Sequence, residues 1–173
     1  AFIFSEAPVG FDLHDVVVSG GELSAPVTTE SNPNVYTAAF TPAANSEGSA
    51  SISVANDKYT DAAGNTGSGS TGPSLSIDTQ APSLAITSDV DALKAGESAT
   101  IAFIFSEAPV GFIAQDVTVT GGSLGDDFAV SEDNDKVYTV TFTPAVGSEA
   151  NANISVDAGK YTDAAGNVGS GAT

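Results

Sequence analysis

The sequence contains an internal duplication, and this feature limits the possible folds more than any other. Residues 1–11 read AFIFSEAPVGF, and the same eleven letters recur at 102–112. YTDAAGN likewise occurs at 59–65 and again at 161–167. The first pair is shifted by 101 positions and the second by 102, so the second copy carries one inserted residue between these anchors. Identity of this length points to two copies of one structural unit of about 100 residues.

Each copy shows the period-two alternation of half-buried β-strands. Tyr138, Val140 and Phe142 alternate with Thr139 and Thr141, and no stretch has a helical period. Residues typical of turns separate the alternating segments, namely Gly20-Gly21, Gly64-Asn65, Gly121-Gly122, Asp133-Asn134-Asp135 and Gly166-Asn167. The pattern predicts an all-β fold of tandem β-sandwich domains with about seven strands each. A period of about 100 residues is typical of the immunoglobulin-like sandwich.

The predicted domains span residues 1–78 and 79–173, joined by a segment that Pro82 should stiffen. By comparison of the copies, the first lacks its first strand and the second lacks most of its last. We expect these strands to be missing because the sequence is a window on a longer chain. The alternative is that neighbouring copies donate the missing strands. In the second copy we expect strands near 83–88, 98–106, 116–121, 136–143 and 152–157, a weaker strand near 127–131 and a last strand beginning near 168.

The charge is strongly acidic, with 22 acidic residues against 4 basic ones and a net charge of -18. Nucleic acid is therefore excluded as a partner, because phosphate binding needs clustered Lys or Arg. The same charge opposes docking on anionic membranes, and no apolar run is long enough to insert into one. Cysteine is absent, so disulfides and thiolate metal sites are excluded. What the charge favours is solubility and affinity for cations.

The residues of common catalytic sites are missing, and we expect the chain not to be an enzyme. His14 is the single histidine, and Gln115 replaces it in the second copy, which indicates a solvated loop residue. No cysteine nucleophile and no GxSxG motif is present. Glu107 and Asp163 could imitate the carboxylate pair of a glycosidase, but no tryptophan is available as a sugar platform.

Acidic residues recur at the positions where the sandwich topology brings three segments to one pole. These segments are the start of the first strand and the loops after the second and sixth strands. In the second copy they carry Asp78, Glu107, Asp116, Asp163 and Asn167, and the first copy has the matching residues Glu6, Asp15, Asp61 and Asn65. Carboxylates crowded together repel one another, and Ca²⁺ relieves this by taking six to eight oxygen ligands. The sequence therefore predicts calcium sites at this pole.

Other interpretations of these acids remain open. Asp163 and Asn167 could serve merely to form a turn, by hydrogen bonding to their own backbone. Glu107 could be a solvated loop residue, and Asp78 could cap the preceding strand. Asp89 and Asp91, with Glu149, would lie at the opposite pole and could form a second site. Asp133 and Asp135 are more typical of a hairpin turn.

Four motifs carry a resemblance to a known family. The sequences IDTQAP, FSEAPVGF, DVxVxGG and YTDAAGNxGSG resemble the bacterial Ig-like repeats of giant surface adhesins. Such adhesins include biofilm-associated proteins and repeats-in-toxin adhesins exported by type I secretion. The resemblance implies extracellular extender repeats on the bacterial cell surface, which serve adhesion and biofilm formation. It also implies neighbouring repeats of the same chain as partners, and calcium bound at or near domain junctions.

Two alternative functions come from other classes. Ig-like sandwiches also occur as carbohydrate- or protein-binding modules, because the fold alone does not determine function. An exposed aromatic cluster would favour such a module, whereas the phenylalanines here fall mostly on core-facing positions. Spacer domains of a secreted hydrolase or of a surface-layer protein are the other alternative. The sequence does not identify the adhesion ligand.

Overall fold

The computed structural model describes residues 1–29 and 31–173, and its internal contacts divide the chain into two compact units. Unit 1 comprises Ala1–Gln80 and unit 2 comprises Ala81–Thr173. This division falls two residues after the predicted one. Each unit consists of short β-strands and one 3₁₀ turn, so the prediction of an all-β fold is confirmed. No helix among the described residues is long and apolar enough to cross a membrane.

Unit 2 is built from two sheets. Its strands are β10 (Leu84–Ser88), β11 (Ala99–Phe105), β12 (Val117–Thr120), β13 (Gly122–Leu124), β14 (Ala129–Ser131), β15 (Asn134–Pro144) and β16 (Asn153–Val156), with a 3₁₀ turn at Ala114–Asp116. One sheet has the order β10-β11-β15-β13, and β14 also pairs with β15. The other sheet pairs β12 with β16. All of these pairings are antiparallel, as expected for this class of sandwich.

The core of unit 2 lies where the alternating pattern places it. On β11 every second residue is buried, and Phe103 at its centre is 0 % exposed. Phe105 and Phe112 pack edge to face with ring centroids 4.9 Å apart, and Phe105 makes a similar contact of 4.8 Å with Tyr161. The phenylalanines of this unit therefore stabilise the sandwich through buried apolar area and ring contacts.

Unit 1 repeats much of this arrangement. Its strands are β1 (Phe2–Ile3), β2 (Val16–Ser19), β3 (Gly21–Leu23), β4 (Val27–Thr29), β5 (Asn32–Thr37), β6 (Phe40–Pro42), β7 (Glu47–Val54), β8 (Ser70–Thr71) and β9 (Leu75–Asp78), with a 3₁₀ turn at Leu13–Asp15. The sheets have the orders β1-β5-β4, β2-β7-β8 with β9 also on β7, and β3-β6. The pairing of β2 with β7 is in the same register as that of β12 with β16, because Val16 faces Val54 as Val117 faces Val156. The duplication in sequence is thus a duplication in structure.

The strands observed in unit 2 differ from the predicted ones at two places. Strand β13 was not predicted, because Gly121-Gly122 is typical of a turn, yet Gly122 already pairs with Pro144. Instead of a regular last strand beginning near 168, the structure has isolated bridges of Val168 with Thr162 and of Ala172 with Val156. The other predicted strands coincide with observed ones to within about two residues.

Candidate metal centre

The Asp-Ala-Ala-Gly-Asn segment of unit 2 forms a closed turn around the side chain of Asp163. The backbone N–H of Asn167 donates to Asp163 Oδ1 at 2.8 Å, and the amide Nδ2 of Asn167 donates to Oδ2 at 2.7 Å. The backbone N–H of Asp163 in turn donates to the carbonyl of Asn167 at 3.1 Å. Gly166 has φ of 92°, a conformation that glycine adopts without strain. The turn orients both oxygens of the Asp163 carboxylate.

Unit 1 has the same turn at the matching positions. Asn65 donates to Asp61 Oδ1 from its backbone at 2.8 Å and to Oδ2 from its side chain at 2.6 Å. These hydrogen bonds, that of the Asn65 side chain above all, lower the pKa of Asp61. The predicted backbone-bonded turn is therefore present in both copies. It is compatible with metal binding, because each carboxylate oxygen retains a second lone pair.

Burial distinguishes Asp163 from Asp61. Among the described residues, Asp163 is the one charged residue that is buried, with 2 % of its surface exposed. Asp61 is only half-buried. Desolvation by burial raises the pKa of Asp163, but hydrogen bonds from Asn167 and from the backbone of the turn outweigh it, and the pKa lies below its ordinary value. Asp163 is thus an ionised carboxylate held inside the protein.

A second carboxylate lies beside Asp163. One carboxylate oxygen of Glu107 lies within 4.8 Å of one of Asp163. Glu107 is half-buried and lies two residues after the end of β11. Two carboxylates at this separation repel one another, and a divalent cation bound by them removes that repulsion. Asp78, the last residue of β9 in unit 1, is half-buried, and its Oδ1 accepts a hydrogen bond from the backbone of Gln80 at 3.1 Å.

Asp116 does not belong to this pair of carboxylates. Its Oδ2 accepts a hydrogen bond from the backbone of Ile113 at 3.0 Å, which caps the 3₁₀ turn, and its Oδ1 lies 4.0 Å from Lys160 Nζ. Asp15 caps the matching turn in unit 1 by accepting from the backbone of Asp12 at 2.9 Å. The structure gives both residues a local role that their position in the sequence did not reveal.

Within the part of unit 1 that the structure describes, Glu6, Asp15 and Asp61 form no group of three carboxylates. The proposed second site of unit 2 also has no such group among the described residues. There Asp89 Oδ1 accepts from the backbone of Thr100 at 2.8 Å and so joins the ends of β10 and β11. Asp91 and Glu149 line an open groove.

Lys136 was not singled out in the sequence, although it contacts the segment that carries Glu107. Its Nζ donates to the backbone carbonyl of Ser106 at 3.1 Å. In unit 1, Asn34 occupies the matching position and donates from Nδ2 to the carbonyl of Ser5 at 3.3 Å. A donor facing this carbonyl is therefore common to both copies. Aligning the two copies could have identified it, because both residues precede the VYT segment.

The comparison with protein families gives one result that covers the whole chain. The model of the bacterial Ig-like domain matches residues 1–77 and again residues 78–173. No curated protein and no solved structure matches the chain at a significant level. With both of its repeats matched, the chain belongs to the bacterial Ig-like domain family and contains two copies of that domain in tandem.

Proposed function

We propose that this chain is part of the stalk of a bacterial cell-surface adhesin, in which its domains act as non-catalytic extenders for adhesion and biofilm formation. The observation that carries the proposal is the tandem duplication, since two family copies follow one another over the whole chain. A series of similar domains adds length, and each needs contact only with its neighbours. The net charge of -18 supports this role, because like charges oppose association of parallel stalks.

The histidine environment supports a non-catalytic role. The side chain of His14 is 94 % exposed, and its Nδ1 lies 3.0 Å from Asp12 Oδ1. Backbone and side-chain hydrogen bonds of His14 lower the pKa of Asp12. An imidazole that is exposed in this way, and replaced by Gln115 in the second copy, has no enclosed pocket in which to activate a substrate.

Calcium is the second part of the proposal. Glu107 and Asp163 would supply carboxylate ligands from unit 2. Backbone carbonyls and water would complete the six to eight oxygens that Ca²⁺ prefers. A bound ion would hold the segment after β11 against the turn of Asp163, which would make the extender domain stiffer.

Labelling of intact cells tests the stalk proposal. An antibody raised against residues 1–173 should label unpermeabilised cells that produce the parent protein, and deletion of its gene should reduce biofilm mass. Labelling that appears only after lysis would contradict a surface location. The matched control is an antibody against a cytoplasmic protein of the same cells.

Melting curves in calcium and in chelator test the metal proposal. A ligand at 100 times its dissociation constant stabilises the fold by about 2.7 kcal/mol, which should raise Tm by several degrees. The substitution Glu107→Gln should remove most of this increase while leaving the buried turn of Asp163 intact. Glu132→Gln, the same change at an exposed hairpin residue, should leave the increase unchanged. Identical Tm values in calcium and in chelator would contradict the proposal.

A further inference from the structure

The segment that carries Glu107 is held from both neighbouring strands of its sheet. Beside β10, the backbone N–H of Ser106 donates to the carbonyl of Ser83 at 3.0 Å, and the backbone N–H of Ser83 donates to Ser106 Oγ at 3.0 Å. From β15, Lys136 Nζ donates to the carbonyl of Ser106 at 3.1 Å. Ser106 is therefore fixed by its N–H, its carbonyl and its side chain, immediately before the residue that supplies a carboxylate.

The carbonyl that Lys136 contacts belongs to the peptide group between Ser106 and Glu107. A peptide group is planar, so a hydrogen bond at its oxygen also limits where the backbone N and Cα of Glu107 can lie. The donor is an ammonium group, and hydrogen bonds from charged donors are stronger than those between neutral groups. Lys136 thus acts on the last rigid unit of backbone before the Glu107 side chain.

The backbone at this position is held in the same way in both copies. The N–H of Lys136 donates to Asn134 Oδ1 at 3.0 Å, and the N–H of Asn34 donates to Asn32 Oδ1 at 3.0 Å. From this equivalent starting point the shorter side chain of Asn34 still reaches the carbonyl of Ser5, at 3.3 Å. The two copies therefore share a hydrogen-bond donor here, whereas a positive charge is present only in unit 2.

We propose that Lys136 is a positioning residue, which keeps the Glu107 carboxylate beside Asp163 by holding the peptide group between Ser106 and Glu107. The inference rests on the proposed function in one respect, since it takes Glu107 as a ligand of the ion. Groups that orient a metal ligand change metal affinity by about 10- to 100-fold when they are removed. A positive charge near a cation site has the opposite effect, because it repels the ion. Loss of the donor and loss of the charge therefore change calcium affinity in opposite directions.

Two substitutions separate the donor from the charge. Lys136→Met keeps the length of the side chain and removes both, whereas Lys136→Asn removes the charge and provides the donor found in unit 1. Calorimetric titration of the 173-residue protein with Ca²⁺ at constant ionic strength should give a Kd about ten-fold or more higher for Lys136→Met. For Lys136→Asn the Kd should be no higher than that of the unchanged protein. The control is Lys94→Met, which removes the charge of an exposed loop lysine and should leave the Kd unchanged.

A second measurement needs no calcium. The amide nitrogen of Glu107 is bonded to the carbonyl carbon that Lys136 holds, so its motion reports on this hydrogen bond. In chelator, NMR relaxation should give a lower order parameter for the Glu107 amide in Lys136→Met than in the unchanged protein, and Lys136→Asn should restore it. Lys136 is exposed, so all variants should keep the Tm of the unchanged protein in chelator.

The two measurements distinguish the positioning role from the metal site. If the unchanged protein binds no Ca²⁺ while Lys136→Met still mobilises the Glu107 amide, the calcium proposal fails and the positioning role stands. If the unchanged protein binds Ca²⁺ but Lys136→Met changes neither the Kd nor the amide, the positioning role is wrong. Tighter binding by both variants would mean that Lys136 acts only through its charge. Equal weakening by both would mean that the shared donor is not what matters, and either result overturns the inference.

Discussion

At the residue scale, Asp163 shows how a buried carboxylate can stay ionised. Its two oxygens accept hydrogen bonds from the backbone and the side chain of Asn167, and these interactions favour the charged form. Burial acts in the opposite direction, and the net effect is a lowered pKa. Asp61 makes the same bonds with less burial, and its pKa is lowered as well. The turn therefore stabilises the ionised form of the aspartate whether or not a metal ion is bound.

The lowered pKa of Asp163 predicts a loss of stability in acid. A carboxyl whose pKa is lower in the folded than in the unfolded state contributes stability that is complete above the unfolded pKa, about 3.9 for Asp. That contribution is lost as the pH falls through the folded pKa. We expect the free energy of unfolding of unit 2, measured with urea in chelator, to fall below about pH 4.

The substitution Asp163→Asn should make this fall shallower, because an amide does not titrate. The fall should not disappear, since the pKa of Asp127 in unit 2 is lowered too. Asp133→Asn on the exposed hairpin is the control, and its pH profile should match that of the unchanged protein. An Asp163→Asn profile with the same slope would show that this carboxyl does not contribute.

At the element scale, strand pairing decides how much an identical sequence stabilises each unit. The segment AFIF spans β1 in unit 1 and lies within β11 in unit 2, and both strands pair with a partner that places Tyr36 or Tyr138 opposite the first phenylalanine. Strand β11 also pairs with β10 on its other side, where Ile86 faces Phe103. In the described part of unit 1, β1 pairs with β5 alone. The two phenylalanines of this segment are therefore buried in unit 2, as Phe103 and Phe105, and only half-buried in unit 1, as Phe2 and Phe4.

Truncating the equivalent phenylalanines should measure this difference. Phe103→Ala should lower the free energy of unfolding of unit 2 by about 3–5 kcal/mol, because it leaves a cavity in a closed core. Phe2→Ala, the same change in a half-buried position, should cost unit 1 about 1–2 kcal/mol. Urea unfolding followed by NMR, with resonances from each unit, separates the two effects. Equal losses would contradict the role assigned to the pairing of β10 with β11.

At the scale of the whole molecule, charge and duplication act together. A net charge of -18 over 173 residues means that any cation stabilises the folded chain by screening. A calcium titration must therefore be compared with sodium chloride at the same ionic strength. The part of the stabilisation that Glu107→Gln removes is the part that belongs to a site. Stabilisation by salt screening would persist in the Glu107→Gln variant, because removing one negative charge of many changes the total charge little.

The sequence alone was enough to predict the class of fold and the position of two candidate ligands. Alternation of apolar and polar residues places Ile101, Phe103 and Phe105 on one face, and burial follows from that local pattern. The repeated YTDAAGN motif specifies its turn through contacts within five residues. Glu107 and Asp163 were placed at one pole from the topology of the sandwich, and one carboxylate oxygen of each lies within 4.8 Å of the other. Calcium binding itself stays a prediction.

Only the tertiary structure decided which of the similar acids and strands take part. Asp116 was indistinguishable from Glu107 in the sequence, but its carboxylate caps a 3₁₀ turn and lies near Lys160. Ala50 and Ala152 occupy matching positions in the two copies, and they differ in burial because β9 covers one of them. The physical reason is the same in both cases. Local patterns fix which way a side chain points, whereas its partners come from segments distant in the chain, and those partners determine its burial and its ligands.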